Sequence, residues 1–175
     1  MKRLAALAVL AAALPALSSC GLRPLYGNGT QGVVARTIGT VQVDAIEGKA
    51  GWLVGNALNE RLAAISGGNG PNYRLHVELD DRITGFGVRS GDVVTRERRT
   101  LRARYQLFDG ATGAMVMDAT AGSDAGLDVA SSEYATIAAE DTALERLSEI
   151  VADQIVMRMA QKLASEQGAA PPPAP

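Results

Sequence analysis

The chain has 175 residues, of which 47% are hydrophobic and 21% are charged, with 17 Lys and Arg against 19 Asp and Glu. This composition is typical of a globular protein with room for one domain. A single Cys excludes an internal disulfide, and a single His excludes a His-rich zinc site. The near-neutral charge also argues against a nucleic-acid-binding protein, which usually carries a clear basic excess.

The first segment, residues 1–19, is typical of a secretory signal peptide. Two basic residues precede an apolar run over residues 4–17, which as a helix would span about 21 Å, short of the roughly 30 Å core of a bilayer. The run ends in Leu17-Ser18-Ser19-Cys20, an order that resembles the lipobox of bacterial lipoproteins. We therefore expect cleavage before Cys20 and lipid attachment to it, as a diacylglycerol and an acyl chain.

The alternative is an ordinary signal peptide followed by a Cys that stays unmodified. Lipidation is favoured because the only Cys of the chain lies where the small-residue cleavage site is expected, and because a lone thiol is a liability in an oxidising compartment. Two or three acyl chains would anchor the protein permanently, since each buried methylene contributes about 0.8 kcal/mol. Gly21 follows the Cys, as in lipoproteins sent to the cell outer membrane, which is the localisation we expect.

The mature chain divides into three parts by composition. Residues 20–32 are rich in Gly and polar residues and predict an acylated tether, and residues 168–175 predict a disordered, Pro-rich tail. Residues 33–167 remain for a single α+β domain, which is long enough to form one core.

Within that domain, alternating and helical hydrophobic periods predict the element order β-α-β-β-β-α. The predicted elements are a strand in 33–45, a helix over 47–65, strands over 73–84 and 95–109, a strand beginning at Met115, and a long amphipathic helix over 132–166. Each helix has an apolar stripe and the sheet has one apolar face. The predicted fold is therefore a two-layer sandwich, a mainly antiparallel four-stranded sheet packed by two helices.

The faces of the strands also predict their register. A first hairpin centred near Gly91 sets Leu75 opposite Leu107, Val77 opposite Tyr105, Leu79 opposite Ala103, Glu78 opposite Arg104 and Asp80 opposite Arg102. A second hairpin centred near Ala111 sets Tyr105 opposite Met117, Leu107 opposite Met115 and Arg104 opposite Asp118. Apolar and charged positions agree on both faces, which a random register would seldom achieve.

A basic stretch, RERRTLRAR, begins at Arg96 and suggests an anion-binding strip, because planar guanidinium groups bind phosphate with two donors. The alternative is a solvated strand face that its neighbours neutralise. Arg102 and Arg104 face acidic residues in the predicted register, so we interpret them as members of structural ion pairs. Arg96 and Arg98 have no acid directly across on the preceding strand and are the better candidates for contact with phosphate or another anion. Arg99 falls on the opposite face, where it is expected to flank a sheet edge, and is the third candidate.

The remaining polar residues give no sign of an enzyme. His76 lies on the polar strand face without metal-spaced partners, so we expect no metal site. The adjacent pairs Asp80-Asp81 and Glu140-Asp141 point in different directions on a strand and on a helix, so neither forms an acid-base dyad. No nucleophile-elbow, phosphate-loop or zinc-protease motif is present, and no cofactor is expected beyond the covalent lipid. Trp52 and Tyr26 are candidates for contact with lipid or another protein, because amphipathic aromatic side chains favour such boundaries. The alternative is packing in the core, which we expect for Trp52.

The element order, following a lipobox and the tether CGLRPLYG at 20–27, resembles the LptE family of lipopolysaccharide-assembly lipoproteins. The second similar segment is SSEYATIAAEDTALERLSEIVADQIVMRMA at 131–160. The resemblance implies a protein that lies as a plug inside LptD, an outer-membrane β-barrel. It also implies that this protein helps LptD to fold and helps to deliver lipopolysaccharide to the cell surface. The expected partners are then LptD, lipopolysaccharide and the membrane. The other hypothesis is an auxiliary lipid-binding lipoprotein of an envelope lipid-export system, which requires an internal apolar cavity.

Overall fold

The computed structural model describes residues 40–65, 72–89, 93–129 and 132–169. The elements in chain order are β1 (Thr40–Val43), α1 (Gly48–Ile65), β2 (Asn72–Arg89), β3 (Val93–Asp109), β4 (Met115–Asp128) and α2 (Glu133–Ala169). The predicted element order is therefore confirmed. The predicted signal peptide, Cys20, the tether and most of the first predicted strand lie outside the described residues. Helix α2 ends at Ala169 and so includes the first two residues of the predicted tail. The rest of the tail also lies outside the described residues.

The four strands form one sheet in the order β1-β2-β3-β4. β1 runs parallel to β2, and the other two neighbouring pairs are antiparallel, so the sheet is mainly antiparallel as predicted. The register predicted between β2 and β3 is confirmed, with Leu75 opposite Leu107 and Glu78 opposite Arg104. The alternation of apolar and polar residues fixes this register because only one face of the sheet is buried.

The predicted register between β3 and β4 is wrong by two residues. Leu107 lies opposite Met117, and the register shifts between Leu107 and Phe108. The cause is the turn: the Asp109 carboxylate accepts hydrogen bonds from the backbone N–H groups of Thr112 (2.7 Å) and Ala111 (2.9 Å), which widens the loop beyond a tight hairpin. These bonds, Thr112 first, lower the pKa of Asp109. From Leu107 to Arg96 the shift is even, so the side chains there keep their predicted faces. Met115 lies beyond the irregularity, is 55% exposed and contacts Gln106, so its predicted place on the apolar face is wrong.

Both helices lie on one face of the sheet, here called the inner face, and the hydrophobic core lies between them. The apolar stripe of α1 is buried as predicted, through Val54, Leu58 and Leu62. The core expectation for Trp52 is wrong, since this side chain is 66% exposed. It lies two residues from Val54, about 200° around the helix, and therefore points away from the sheet.

The two helices run parallel to each other and are joined by two ion pairs. Lys49 Nζ lies 2.7 Å from Asp141 Oδ1, and twelve residues further along each helix Arg61 pairs with Asp153. Because Lys49 is the second residue of α1, the residues of α2 before Asp141 project beyond the start of α1. Beyond the start of α1 only α2 covers the sheet, over β3 and β4, and the far half of β2 is left exposed, with Ile83 42% exposed.

Candidate functional site

The face of the sheet opposite the helices, here called the outer face, carries a ladder of ion pairs between β3 and β4. The distances are 2.8 Å from Arg104 Nη2 to Asp118 Oδ2, 3.1 Å from Arg102 Nη2 to Asp124 Oδ1, and 3.1 Å from Arg96 Nε to Asp128 Oδ1. Such exposed pairs neutralise charge and add little stability. Three of the five arginines in the basic stretch are therefore engaged in this ladder.

Two of the predicted ion pairs are corrected by this arrangement. Asp80 lies opposite Arg102 in the register, but its carboxylate accepts a hydrogen bond from Arg82 Nε at 2.8 Å, two residues along the same strand. Arg102 instead reaches across to β4, where its Nη2 contacts both oxygens of Asp124 at 3.1 Å. Glu78 faces Arg104 but has no ion pair with it, and it lies 3.8 Å from His76 Nε2.

The pair between Arg104 and Asp118 forms as predicted, although not directly across the strands. The true register sets Arg104 opposite Thr120, so the guanidinium contacts Asp118 diagonally. The pKa of Asp118 is lowered, chiefly by its hydrogen bond with Arg104 and then by one with Gln106. The even register shift preserves the contact because both residues stay on the outer face.

Of the candidate anion contacts, Arg96 and Arg98 differ in how free they are. Arg96 lies opposite Phe86 on β2, as predicted, but Asp128 lies directly opposite it on β4 and neutralises it. Arg98 lies opposite Gly126 and has no ion pair with any residue that the structure describes. Its guanidinium lies 5.5 Å from the centroid of the Phe86 ring, a cation–π arrangement that leaves the N–H donors open. Arg98 is therefore the better candidate of the two.

The third candidate, Arg99, is buried beneath α2 and does not flank a sheet edge as expected. It is 9% exposed, and its Nε and Nη2 contact the two carboxylate oxygens of Asp81 at 2.9 and 2.6 Å. Its Nη1 donates to the backbone carbonyl of Glu140 at 2.9 Å. The hydrogen bond with Asp81 raises the pKa of Arg99 further above its ordinary value. These contacts make Arg99 structural and leave it no room to bind an anion.

A pair of carboxyl groups lies next to this ion pair. The side chain of Glu97 on β3 lies close to that of Glu140 on α2, and the buried Oε2 atom of Glu97 has no hydrogen-bond partner among the described residues. Burial first, and then the negative charge of Glu97, raise the pKa of Glu140. Two acidic groups that share a partly buried site favour the protonated form of one of them.

The free edge of β4 is partly covered by side chains of α2. Gln154 accepts a hydrogen bond from the backbone N–H of Gly122 at 3.1 Å and donates one to the carbonyl of the same residue at 3.4 Å. Arg158 donates to the carbonyl of Thr120. The Gln154 amide thus takes the place of a neighbouring strand at this point of the edge.

Beyond Gly122, towards the end of β4, a groove of about 400 Å³ opens between the strand and α2. Its wall is mostly apolar and is built from small side chains, with one basic residue. The lining residues are Ala125, Gly126, Leu127, Ala138, Ala139, Thr142, Ala143 and Arg146. This groove was not predicted from the sequence, although alanines at 138, 139 and 143 on one side of α2 indicate a close approach or an open surface.

At the other end of the outer face, Arg74 was also missed. Its guanidinium lies 5.8 Å from the centroid of the Phe108 ring and has no ion pair with any described residue. A polar cavity of about 570 Å³ adjoins it, lined in part by Gln42 and Asn72. The position of Arg74 on the polar face of the predicted strand was the available signal.

Two negative findings concern the described ranges only. None of their helices is both long and apolar enough to cross a bilayer. Within the same ranges, no three potential metal-ligating side chains cluster.

Comparison with known proteins gives one family and several solved structures. The sequence model of the LptE family, described as lipopolysaccharide-assembly, matches residues 38–159. A putative lipoprotein from Caulobacter crescentus CB15 is 27% identical, with a TM-score of 0.60, and the match covers 75% of this chain and 96% of that one. No curated protein matches this chain.

Two more distant structures share the fold. The rare lipoprotein B from Shewanella oneidensis is 11% identical, with a TM-score of 0.55, and the match covers 73% of this chain and 97% of that one. A lipoprotein B from Nitrosomonas europaea is 12% identical, with a TM-score of 0.53 and coverage of 75% and 86%. At these identities the likeness establishes the fold alone.

Proposed function

The chain belongs to the LptE family of lipopolysaccharide-assembly proteins, and from this premise we propose that it plugs the outer-membrane barrel LptD and assists lipopolysaccharide delivery to the cell surface. The observation that carries the proposal is the extent of the family match, which runs from the first described strand through most of α2. The likeness to solved lipoproteins supports a role in the cell envelope.

The arrangement of charge supports docking rather than chemistry. The acidic and basic side chains of the outer face largely neutralise one another through the ion pairs between β3 and β4. A neutralised, extended sheet face suits contact with another protein, because a large net charge there would have to be desolvated on binding. We infer that the protein is not an enzyme.

The proposal places the domain at the inner side of the outer membrane through a lipid on Cys20. Intact-mass measurement of the processed protein tests this step: we expect a chain that begins at Cys20 and carries a diacylglycerol and an acyl chain. Cys20→Ser is the matched control and should show neither. An unmodified thiol at the new N-terminus would contradict the anchor.

Docking to the barrel is tested by co-purification. The full chain, tagged at its C-terminus, is co-expressed with LptD of the same organism and extracted in mild detergent. We expect a stable complex with one copy of each protein, and we expect Cys20→Ser to retain it if the folded domain makes the contact. Isolation of the wild-type chain as a lone monomer would reject the proposed function.

The alternative function, an auxiliary lipid-binding lipoprotein of a lipid-export system, requires an internal apolar cavity. The space between helices and sheet is instead filled by large side chains with 0–1% exposure, among them Leu58, Leu75, Tyr105, Leu147 and Ile155. The groove beside β4 opens to the surface. The described residues thus give the alternative no support.

A further inference from the structure

β4 is an edge strand, and the direction of its backbone groups follows from its contacts with α2. The N–H and C=O of Gly122 both bond to Gln154 and so point away from β3. The register with β3 is regular from Ala119 to Asp128, and backbone groups alternate in direction along a strand. The N–H and C=O groups of Asp124, Gly126 and Asp128 therefore also point outward.

At these three positions no described residue bonds the outward backbone groups, in contrast to Gly122. Backbone donors and acceptors are strong hydrogen-bonding groups, and natural edge strands are usually protected by Lys, Pro, a bulge or a covering element. The segment 123–128 has no Lys and no Pro, and its register has no bulge. It is an edge without the usual protection.

The side chains of this segment do not block a neighbouring strand. Asp124 and Asp128 bend over the outer face to Arg102 and Arg96, which neutralise them. Gly126 has no side chain, and a Cβ added there would meet no atom within 4 Å. The edge is thus open to close approach by another backbone.

The groove lies beside this same segment, on the inner-face side. In a strand added along β4, every second side chain would point towards α2, where the groove has room of about 400 Å³ between small residues. Arg146 lines the groove and has no ion pair with any described residue. The groove therefore fits an apolar side chain with a carboxylate close to it.

We propose that Ser123–Asp128 of β4 pairs with an extended segment of the barrel partner, which becomes a fifth strand of the sheet. The identity of the partner, LptD, rests on the proposed function. Backbone hydrogen bonds to Asp124, Gly126 and Asp128 would supply the affinity, and the groove would select an apolar residue on the incoming segment.

The second uncovered edge, on β2, offers an internal control. β1 pairs only with Asn72–Leu75, so the outward groups of β2 are unpaired within the described sheet from Val77 onward. That edge has four charged side chains within residues 78–82, whereas the six residues of Ser123–Asp128 have two. A dense row of charges discourages strand addition. We therefore assign the docking to β4 and not to β2.

The test uses the full chain in complex with LptD. Gly126→Pro removes an outward N–H, whereas Gly126→Ala keeps it, and Gly85→Pro makes the same change on the β2 edge. We expect Gly126→Pro to weaken binding to LptD at least tenfold, and the other two variants to stay within twofold of wild type. In the wild-type chain, hydrogen exchange at single-residue resolution should slow at least tenfold at Asp124, Gly126 and Asp128 on complex formation.

The exchange measurement needs no variant, so the proposal stays testable if Gly126→Pro fails to fold. A wild-type complex in which these three amides exchange as fast as in the free chain overturns the edge proposal and leaves the proposed function intact. Failure of the wild-type chain to bind LptD overturns both. Protection that appears in the chain alone and rises with its concentration indicates a second copy on the edge, and it also overturns the proposal.

Discussion

Arg99 and Asp81 form a two-pronged ion pair beneath α2, with Nη2 to Oδ2 at 2.6 Å and Nε to Oδ1 at 2.9 Å. The same guanidinium donates to the carbonyl of Glu140, so one side chain joins β3, β2 and α2. This contact lies where α1 no longer covers the sheet. The far end of the sandwich is therefore held by polar contacts as well as by packing.

Removing Arg99 should destabilise the protein markedly. In Arg99→Met, Asp81 keeps its charge but loses its partner, although its side chain is only 23% exposed in the wild type, and we expect a cost of about 2–3 kcal/mol of unfolding free energy. Urea denaturation of the two proteins measures the difference. Arg96→Ala, which removes an exposed pair, should cost less than about 1 kcal/mol. Equal effects of the two changes would show that the burial of Arg99 carries no energetic weight.

Gln154 should protect the middle of the β4 edge. Gln154→Ala leaves the N–H and C=O of Gly122 without their partner, and we expect a loss of about 1–2 kcal/mol. The free energy of opening measured by hydrogen exchange at the Gly122 amide should fall by a similar amount. Gln161→Ala, an exposed position of the same helix, is the control and should change neither quantity. An unchanged exchange rate in Gln154→Ala would refute the capping role.

Two glycines of β4 should respond oppositely to the same substitution. In Gly122→Ala the new Cβ would lie 2.9 Å from the backbone oxygen of Leu101, a contact that strand movement alone can relieve, at about 1–3 kcal/mol. In Gly126→Ala the Cβ meets nothing within 4 Å, so stability should hold or rise slightly. Thermal unfolding of both variants checks the contrast, which is disproved if Gly122→Ala is as stable as wild type.

Glu140 should make stability depend on pH in the direction opposite to an ordinary carboxylate. Its folded pKa is raised by burial and by Glu97, so its contribution is favourable below the unfolded pKa and is lost as pH rises through the folded value. Glu140→Gln should therefore raise the urea midpoint at pH 7, and the gain should shrink as the pH falls towards 4. Glu133→Gln, an exposed position of the same helix, serves as the control. A gain that is the same at both pH values would contradict the raised pKa of Glu140.

Arg98 should contribute to anion binding because its charge is not neutralised by an ion pair within the described residues. Arg98→Ala is expected to weaken binding of lipopolysaccharide about tenfold, the effect of losing one charge-assisted contact, and to flatten its salt dependence. Arg102→Ala removes an arginine of the same strand face whose charge Asp124 neutralises, and it should have little effect. Binding that is unchanged in Arg98→Ala at low and high salt would remove Arg98 as a candidate.

The elements and the first register could be predicted because each strand buries one face and each helix one stripe. The second register could not, since it depends on the Asp109 carboxylate capturing two backbone N–H groups, a contact that strand periodicity does not contain. Arg99 was placed on the correct face, but its partner was missed. Asp81 lies on that same face of β2, and a charge at an apolar position is a signal for a buried partner.

The basic stretch shows that the ion pairs of a central strand cannot be predicted from only one of its two neighbouring strands. Arg96 lacks an acid on β2 but finds Asp128 on β4, thirty-two residues further along the chain. Hydrophobic periodicity likewise does not predict the open groove beside β4, because the groove depends on the distance between α2 and the strand. The hydrophobic pattern within a strand or helix predicts which side chains share a face. It does not predict which side chains of different elements come into contact, and the candidate sites depend on those contacts.

The ion pairs Lys49 with Asp141 and Arg61 with Asp153 lie twelve residues apart on both helices. Inserting one residue between them in either helix would turn the second pair by about 100° and separate its charges. A compensating insertion in the other helix would restore the match. The two helices are therefore constrained to change length together between these contacts, even where individual side chains are free to vary.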